Sequence, residues 1–132
     1  MSEVDEWLTY ADEDLRTAGL CFENEIWNQA CFHAQQCVEK VLKAVLIAQG
    51  AVYPRSHSLP ELLNRLDRAR FAPLFVLSDR IRLVDRFYMA TRYPDSIPGA
   101  LPDRLPDGND ATETLATAEQ VSDIAKGILR AP

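Results

Sequence analysis

Two histidines, His33 and His57, are the side chains of this sequence best suited to proton transfer near neutral pH. With a cation to hold the scissile phosphate, an imidazole can act as the general base that activates a ribose 2′-hydroxyl. Neither histidine stands at HxxxH, HxxE or CxxH spacing, so the sequence predicts neither a zinc nor a di-iron site. We expect no metal and no other cofactor, and the two histidines alone assign no catalytic residue.

Other chemical motifs are missing from the sequence. No GxxxxGK[ST], GxGxxG or GxSxG stretch occurs, and the five glycines are isolated. The three cysteines, Cys21, Cys31 and Cys37, form no CxxC pair and fall on or near apolar stripes. An odd number of cysteines without a secretory signal indicates reduced thiols, so we expect them to pack in the core of a cytoplasmic protein.

Basic side chains are concentrated in the middle of the chain, where residues 26–92 hold ten bases and five acids. Arg82 and Arg86 are four residues apart and therefore share one helix face. One interpretation is a phosphate-facing patch for a nucleotide or an RNA. The other is pairing with the first 25 residues, which hold eight acids and one base, within the chain or across a dimer.

A polar stripe runs along the second predicted helix, formed by His33, Gln36, Lys40 and Lys43. It could be a wall that faces a ligand, or a contact between subunits. The alternative is an ordinary outer face on which Glu39 and Lys43 form an i,i+4 pair.

The spacing of apolar residues predicts the helices that carry these side chains. Apolar residues recur at helical spacing over residues 3 to 23, with Ser2 as the cap. A second helix with a wide apolar arc is predicted from about Ile26 to Gln49, stopped by Gly50. Ser58 to Glu61 reads as a capping box that opens a short third helix.

Two more helices are predicted after the third. Pro73 begins one that carries Leu74, Leu77, Ile81, Val84 and Tyr88 on one face. A long loop rich in proline, residues 93 to 110, separates it from the last helix, which Asp110 and Glu113 should cap. The sequence therefore predicts an all-α, up-and-down bundle of four to five helices.

Composition fits one such domain across residues 1–132, because 47% of the residues are hydrophobic and 26% are charged. The net charge of −6 is atypical of a protein that coats DNA in general. No apolar run approaches the roughly 18 residues of a membrane span, so we expect no membrane association.

A family resemblance begins in the second predicted helix, which reads ACFHAQQCVEKVLKAVLI from Ala30 to Ile47. This run is similar to the signature helix of HEPN domains, in which a small-aromatic-His-Ala-x-Gln stretch precedes Glu-Lys and Lys-Ala. Residues 56 to 59 stand where the family usually has Thr-His-Asp-Leu. Residues 90 to 95, ATRYPD, resemble its Ala-Arg-Tyr-Pro-Asp motif, and the resemblance spans roughly residues 4 to 129.

The resemblance implies an α-helical bundle, usually a homodimer, and a nucleotide-binding role that the family name records. In prokaryotes such proteins are often paired with a minimal nucleotidyltransferase in toxin–antitoxin-like modules. Many members are metal-independent RNases whose Arg-x(4–6)-His motif is doubled at the dimer interface. Here Arg55 stands two residues before His57, and no arginine stands five to seven residues before either histidine.

Two hypotheses follow. The first is a dimeric binding module that binds a nucleotidyltransferase partner, with or without a nucleotide, and catalyses nothing alone. The alternative is a metal-independent RNase toxin with a non-standard site. The missing arginine spacing favours the first. The candidate residues for a ligand or partner are His33, Gln36, Lys40, Lys43, His57, Arg82, Arg86, Arg92, Tyr93 and Asp95.

The turn at residues 92–95 and the apolar surface add two expectations. Tyr93 precedes a proline and should end the fourth predicted helix. Arg92 could then aim its guanidinium at a phosphate, oriented by Asp95, or the two could only tie the turn to a neighbouring helix. Phe32 and Ile47 lie outside the apolar arc of the second helix, which favours a C2 homodimer.

Overall fold

The computed structural model describes residues 1–52, 54–90 and 105–131. Within those ranges no strand occurs, and the predicted all-α class is confirmed. The elements are α1 (Glu3–Glu23), α2 (Trp27–Ala48), α3 (Leu59–Asn64), α4 (Ala72–Phe75), α5 (Ser78–Asp85), α6 (Phe87–Ala90) and α7 (Gly108–Leu129). Three long helices, α1, α2 and α7, therefore carry a layer of short ones.

A tight turn makes α1 and α2 an antiparallel hairpin. The helix α1 begins in a capping box, because Ser2 Oγ accepts the Asp5 N–H at 3.1 Å and the Asp5 carboxylate accepts the Ser2 N–H. At its other end Glu25 adopts a left-handed φ of 58°. The Ile26 N–H then donates to the Cys21 carbonyl at 2.9 Å, which turns the chain back along α1.

The central helix is α2, which packs against α1 and α7 and also contacts α3, α5 and α6. Neighbours on so many sides account for its wide apolar arc. Its buried apolar residues are Ala30, Cys31, Ala34, Cys37, Val38, Val41, Leu42, Ala44, Val45 and Leu46. The same helix also buries two charged side chains, Glu39 and Lys43, which need partners inside the protein.

The single helix predicted from Pro73 is wrong, because the structure divides that stretch into α4, α5 and α6. The Leu77 N–H donates to the Leu74 carbonyl at 3.0 Å, a tight three-residue spacing. Ser78 Oγ donates to the Phe75 carbonyl at 2.5 Å and so competes with the helical ladder. The predicted apolar face survives in part, since Leu74, Ile81 and Val84 are buried.

The predicted cap of the last helix is also wrong by one turn. Asp107 Oδ1 accepts the Asp110 N–H and Asp110 Oδ2 accepts the Asp107 N–H, each at 2.9 Å. This capping box begins α7 at Gly108, so Asp110 lies inside the first turn and Glu113 does not close a box with it.

The predicted capping box of α3 forms only by half. Ser58 Oγ accepts the Glu61 N–H at 3.3 Å. The Glu61 carboxylate accepts a hydrogen bond from Ser56 Oγ at 2.7 Å instead of returning to the cap backbone. Ser56, two residues before the cap, therefore donates to the Glu61 carboxylate in place of the Ser58 backbone N–H, which the capping-box pattern predicted as the donor.

The cysteines follow the prediction of core packing. All three are thiols outside any disulfide, Cys31 and Cys37 are buried, and Cys21 is half-buried. Burial, with the nearby Asp14 carboxylate, raises the pKa of Cys37 to about 12. None of the helices in the described ranges has the length and apolar character to cross a bilayer. The predicted end of a helix at Tyr93, and most of the proline-rich loop, lie outside those ranges.

Candidate functional site

A carboxylate, a lysine and a histidine meet beside the start of α3, and we call them the cavity cluster: Glu39, Lys43 and His57. The His57 Nδ1 atom lies 3.1 Å and 3.2 Å from the two carboxylate oxygens of Glu39. Lys43 Nζ donates to Glu39 Oε2 at 3.0 Å. Helix α2 supplies the acid and the lysine one turn apart, and the segment before α3 brings the histidine to them.

Burial differs sharply within the cavity cluster. The side chains of Glu39 and Lys43 are 5% and 8% exposed, whereas that of His57 is 55% exposed. A buried ion pair is stable only when hydrogen bonds satisfy both partners. Lys43 Nζ also lies 5.7 Å from the centroid of the Trp7 ring on α1, within range of a cation–π contact. The buried pair is thus a fixed support for an exposed imidazole.

The His57 ring faces a cavity of about 320 Å³, which we call the His57 cavity. The ring stacks on Tyr88, with centroids 4.6 Å apart and planes 15° from parallel. Ser58, Asp85 and Arg86 complete the lining. Because Glu39 engages Nδ1, Nε2 is the ring nitrogen left to meet a ligand.

Asp85 lines the same cavity, and its carboxylate is held in place by a backbone hydrogen bond. Its Oδ1 atom accepts the Leu59 N–H at 2.8 Å, which ties α5 to the first turn of α3. Burial raises the pKa of Asp85 above its ordinary value. The Leu59 hydrogen bond opposes this rise, and the negative charge of Glu39 adds to it. Burial and the nearby Glu39 carboxylate therefore disfavour the ionised form of Asp85.

A second cavity, which we call the α5–α7 cavity, also has a volume of about 320 Å³. Its lining residues are Arg80, Leu83, Val84, Arg86, Phe87, Asp110, Glu113, Thr114 and Thr117. Arg86 lines both cavities and so lies between them.

The other histidine belongs to a separate group, which we call the α1–α2 cluster: Asp14, His33 and Lys40. His33 Nδ1 lies 2.9 Å from Asp14 Oδ1, and Lys40 Nζ donates to Asp14 Oδ2. Both basic side chains are about a quarter exposed, at 26% and 25%. Since Asp14 comes from α1 and the other two from α2, the group ties the helical hairpin together.

The predicted polar stripe is therefore divided between two groups. His33 and Lys40 turn to Asp14, whereas Lys43 turns to Glu39. The Gln36 amide donates to Gln35 Oε1 at 2.7 Å. The predicted Glu39–Lys43 pair exists, but it is buried in the core and does not lie on an outer face.

The two arginines of the predicted pair, Arg82 and Arg86, also have different surroundings. Arg86 lines the two cavities, whereas Arg82 is 70% exposed, lies 3.9 Å from Asp79 and lines neither of them. Arg92, Tyr93 and Asp95 lie outside the described residues.

Sequence reasoning missed several residues that build the site. Tyr88 is predicted only as a member of a helix face and Asp85 is not singled out at all, yet both lie about thirty residues beyond His57 and line its cavity. Asp14 is one of the eight acids of the first 25 residues, and its acidic character alone does not distinguish it from the others. No local spacing signals contacts of this range. The sequence feature that could have indicated these contacts is the presence of acids on other helices of the predicted bundle, which can pack against the polar stripe.

Comparison with known proteins identifies the family to which the chain belongs. The sequence profile of the HEPN domain matches residues 4–128. The chain is 30% identical over 128 residues to the protein named Putative toxin MJ1304 from Methanocaldococcus jannaschii, covering 91% of this chain and 84% of that protein.

Two solved structures share the fold. The crystal structure of TT1696 from Thermus thermophilus superposes with a TM-score of 0.85 and 30% identity, covering 97% of this chain and 99% of that one. ST0689, described as an archaeal HEPN homologue, superposes with a TM-score of 0.74 and 29% identity, covering 98% and 100%. With its profile match across nearly the whole chain, this protein belongs to the HEPN domain family.

Proposed function

We propose that this HEPN domain binds a nucleotide, free or within an RNA, in the His57 cavity, as the binding module of a toxin–antitoxin-like pair. The observation that carries the proposal is one arrangement of three side chains. An imidazole held by a buried carboxylate, an aromatic ring stacked on it and an arginine all line one cavity. A relative named as a toxin supports the biological setting.

The chemistry of the lining suits a phosphate next to a ring. The Arg86 guanidinium offers a planar set of donors that matches a phosphate. His57 Nε2 can donate to a phosphate oxygen when the ring is protonated, and accept a hydroxyl proton when it is neutral. A cavity of about 320 Å³ is at the lower end of small-ligand sites, which suits a mononucleotide.

A titration with adenosine monophosphate, followed by calorimetry, tests this proposal. We expect Arg86→Gln to weaken binding about tenfold or more, because a charge-assisted contact to phosphate is lost. Arg82→Gln makes the same change in charge one turn away and should weaken binding less than threefold. Equal losses in the two variants, with unchanged melting temperatures, would assign any binding to overall charge and contradict the proposed site.

A homodimer and a nucleotidyltransferase partner complete the proposal. Tyr10 and Leu20 on α1, together with Val76 before α5, are all more than half exposed, and large apolar side chains on a surface favour association. Light scattering on a size-exclusion column should give twice the 14.9 kDa of one chain. A single species of 14.9 kDa at tens of micromolar would contradict the dimer.

The second candidate function is a metal-independent RNase. It is favoured by the Glu39 contact to His57 Nδ1, because a carboxylate that orients an imidazole is the arrangement of a general base. The absent Arg-x(4–6)-His spacing weighs against it. We expect purified protein to leave single-stranded RNA and tRNA intact over hours. Cleavage that disappears in His57→Ala but persists in His33→Ala would establish the RNase instead.

A further inference from the structure

We infer that the α5–α7 cavity is a second subsite, which takes a guanine base from the nucleotide adjacent to the one held in the His57 cavity. The inference rests on the proposed function and deepens it. It assigns single-stranded RNA, two nucleotides at a time, as the ligand class.

The position of Arg86 carries the first step. The two cavities have the same volume, about 320 Å³ each, and Arg86 lines both. In a single strand of RNA, one phosphodiester group separates each nucleoside from the next. An arginine that lies between two cavities of nucleotide size therefore matches a dinucleotide, with the phosphate at Arg86 and one base on each side.

One side of the α5–α7 cavity is suited to the face of a base. Leu83, Val84 and Phe87 contribute an apolar surface from α5 and α6. Val84 and Phe87 are nearly fully buried, so this surface is held in place by the core. Phe87 is the aromatic ring of this surface, and aromatic side chains hold unstacked bases in single-strand-binding proteins.

The opposite side suits the hydrogen-bonding edge of guanine. It is formed by α7, whose residues Glu113, Thr114 and Thr117 line the cavity. Thr117 Oγ1 donates to the Glu113 backbone carbonyl at 2.9 Å, so this bond does not occupy the carboxylate. Guanine carries two neighbouring donors, N1–H and the N2 amino group, that a single carboxylate can accept together. Uracil offers only one donor, N3–H, between two carbonyl groups that a carboxylate repels.

Charged side chains of both signs line the α5–α7 cavity. Asp110 and Glu113 are its acids, and Arg80 and Arg86 are its bases. Arg80 Nη1 donates to Gln120 Oε1 at 2.6 Å. Because the formal charges of the lining balance, a neutral base with amino donors is a suitable occupant.

Dinucleotides with a 2′-O-methyl group at the 5′ nucleotide test the inference, because the methyl group blocks attack on the phosphate and leaves binding alone to be measured. Calorimetry compares ApG, GpA, ApA and ApU analogues with adenosine monophosphate. We expect ApG or GpA to bind about tenfold more tightly than ApU, and more tightly than the mononucleotide. In Glu113→Gln, this preference for guanine should fall to less than threefold.

Glu119→Gln is the matched control, since Glu119 is an exposed acid on α7 that lines neither cavity. It should retain the guanine preference, and melting temperatures verify that both variants fold. Equal affinity for all dinucleotides, with Arg86-dependent binding of the mononucleotide intact, would overturn the second subsite and leave the proposed function standing. Failure of the mononucleotide and of all dinucleotides to bind would overturn both.

Discussion

The α1–α2 cluster and the cavity cluster each combine a carboxylate, a lysine and a histidine. They differ in how far the lysine and the histidine are exposed. In the α1–α2 cluster, Asp14 is nearly buried and both basic partners are about a quarter exposed. In the cavity cluster the lysine is as buried as the acid, and the histidine is more than half exposed. One group bridges two helices, whereas the other holds an imidazole at the mouth of a cavity.

This contrast shows that the type of residue does not decide which histidine can meet a ligand. A carboxylate orients each ring through Nδ1. The surroundings differ, because the neighbour of His33 is Phe32 at its edge, whereas His57 lies among Tyr88 and Arg86. Burial of the supporting pair and exposure of the ring are the reasons why we propose the cavity cluster as the ligand site.

The largest expected effect is the loss of the buried acid in Glu39→Met. This change leaves the Lys43 ammonium buried without its carboxylate partner, and breaking a buried ion pair costs about 3–5 kcal/mol. Urea unfolding should show a loss of stability of that size. The double variant Glu39→Met/Lys43→Met should recover most of it, because the unpaired charge is then removed as well.

The matching change in the α1–α2 cluster, Asp14→Leu, should cost less, about 1–2 kcal/mol. Lys40 and His33 are each about a quarter exposed and can turn toward water when the acid is lost. Equal losses of stability for Glu39→Met and Asp14→Leu would contradict the difference in burial on which the comparison depends.

The next effect is a dependence of stability on pH that comes from Asp85. The pKa of this group is raised in the folded protein above its ordinary value of 3.8, so between those two values the folded state holds more protons than the unfolded one. This group therefore lowers stability as the pH rises from about 4 through the folded pKa. Asp85→Asn removes that loss and keeps an acceptor for the Leu59 N–H.

Thermal melting of Asp85→Asn and of the wild type at several pH values checks this. The variant should melt higher than the wild type at pH 7, and the difference should shrink as the pH falls toward about 3.5. A difference that is constant across the range, or that grows in acid, would mean that the Asp85 carboxylate is not penalised by burial.

The smallest expected effect is at Cys37. Burial raises the pKa of this thiol to about 12, so almost none of it is thiolate at pH 8, and iodoacetamide reacts with the thiolate. Mass spectrometry should find Cys37 unmodified in the folded protein after an hour and modified in urea. The half-buried Cys21 serves as the internal reference. Rapid labelling of folded Cys37 would contradict its place in the core.

Periodicity in the sequence predicted the long helices well. The bounds of α1 are those expected from residues 3 to 23, and α2 agrees within a residue at each end. These helices are amphipathic over more than five turns, so local pattern and burial agree. The region of α4 to α6 was predicted poorly, because single hydrogen bonds such as that of Ser78 decide where a short helix breaks.

The site was predictable only in part. His57 and Arg86 could be selected as candidates from their chemistry, and Lys43 could be selected from the polar stripe of the second helix. Sequence alone could not assign His33 and His57 to different groups, since that depends on which acid from another element reaches each ring. Asp14 lies 19 residues before His33, and Glu39 lies 18 residues before His57. Local spacing carries no information about such contacts.

The most direct test of the central claim is an NMR titration of the two histidine side chains, the only histidines in the chain, with adenosine monophosphate. Spectra that correlate ring ¹⁵N and ¹H nuclei follow both rings in one sample, so His33 serves as the control for His57. We predict that the His57 Nε2 signal shifts and saturates with the ligand while the His33 signals stay in place. Equal shifts at both rings, or a shift at His33 alone, would contradict the assignment of the nucleotide to the His57 cavity.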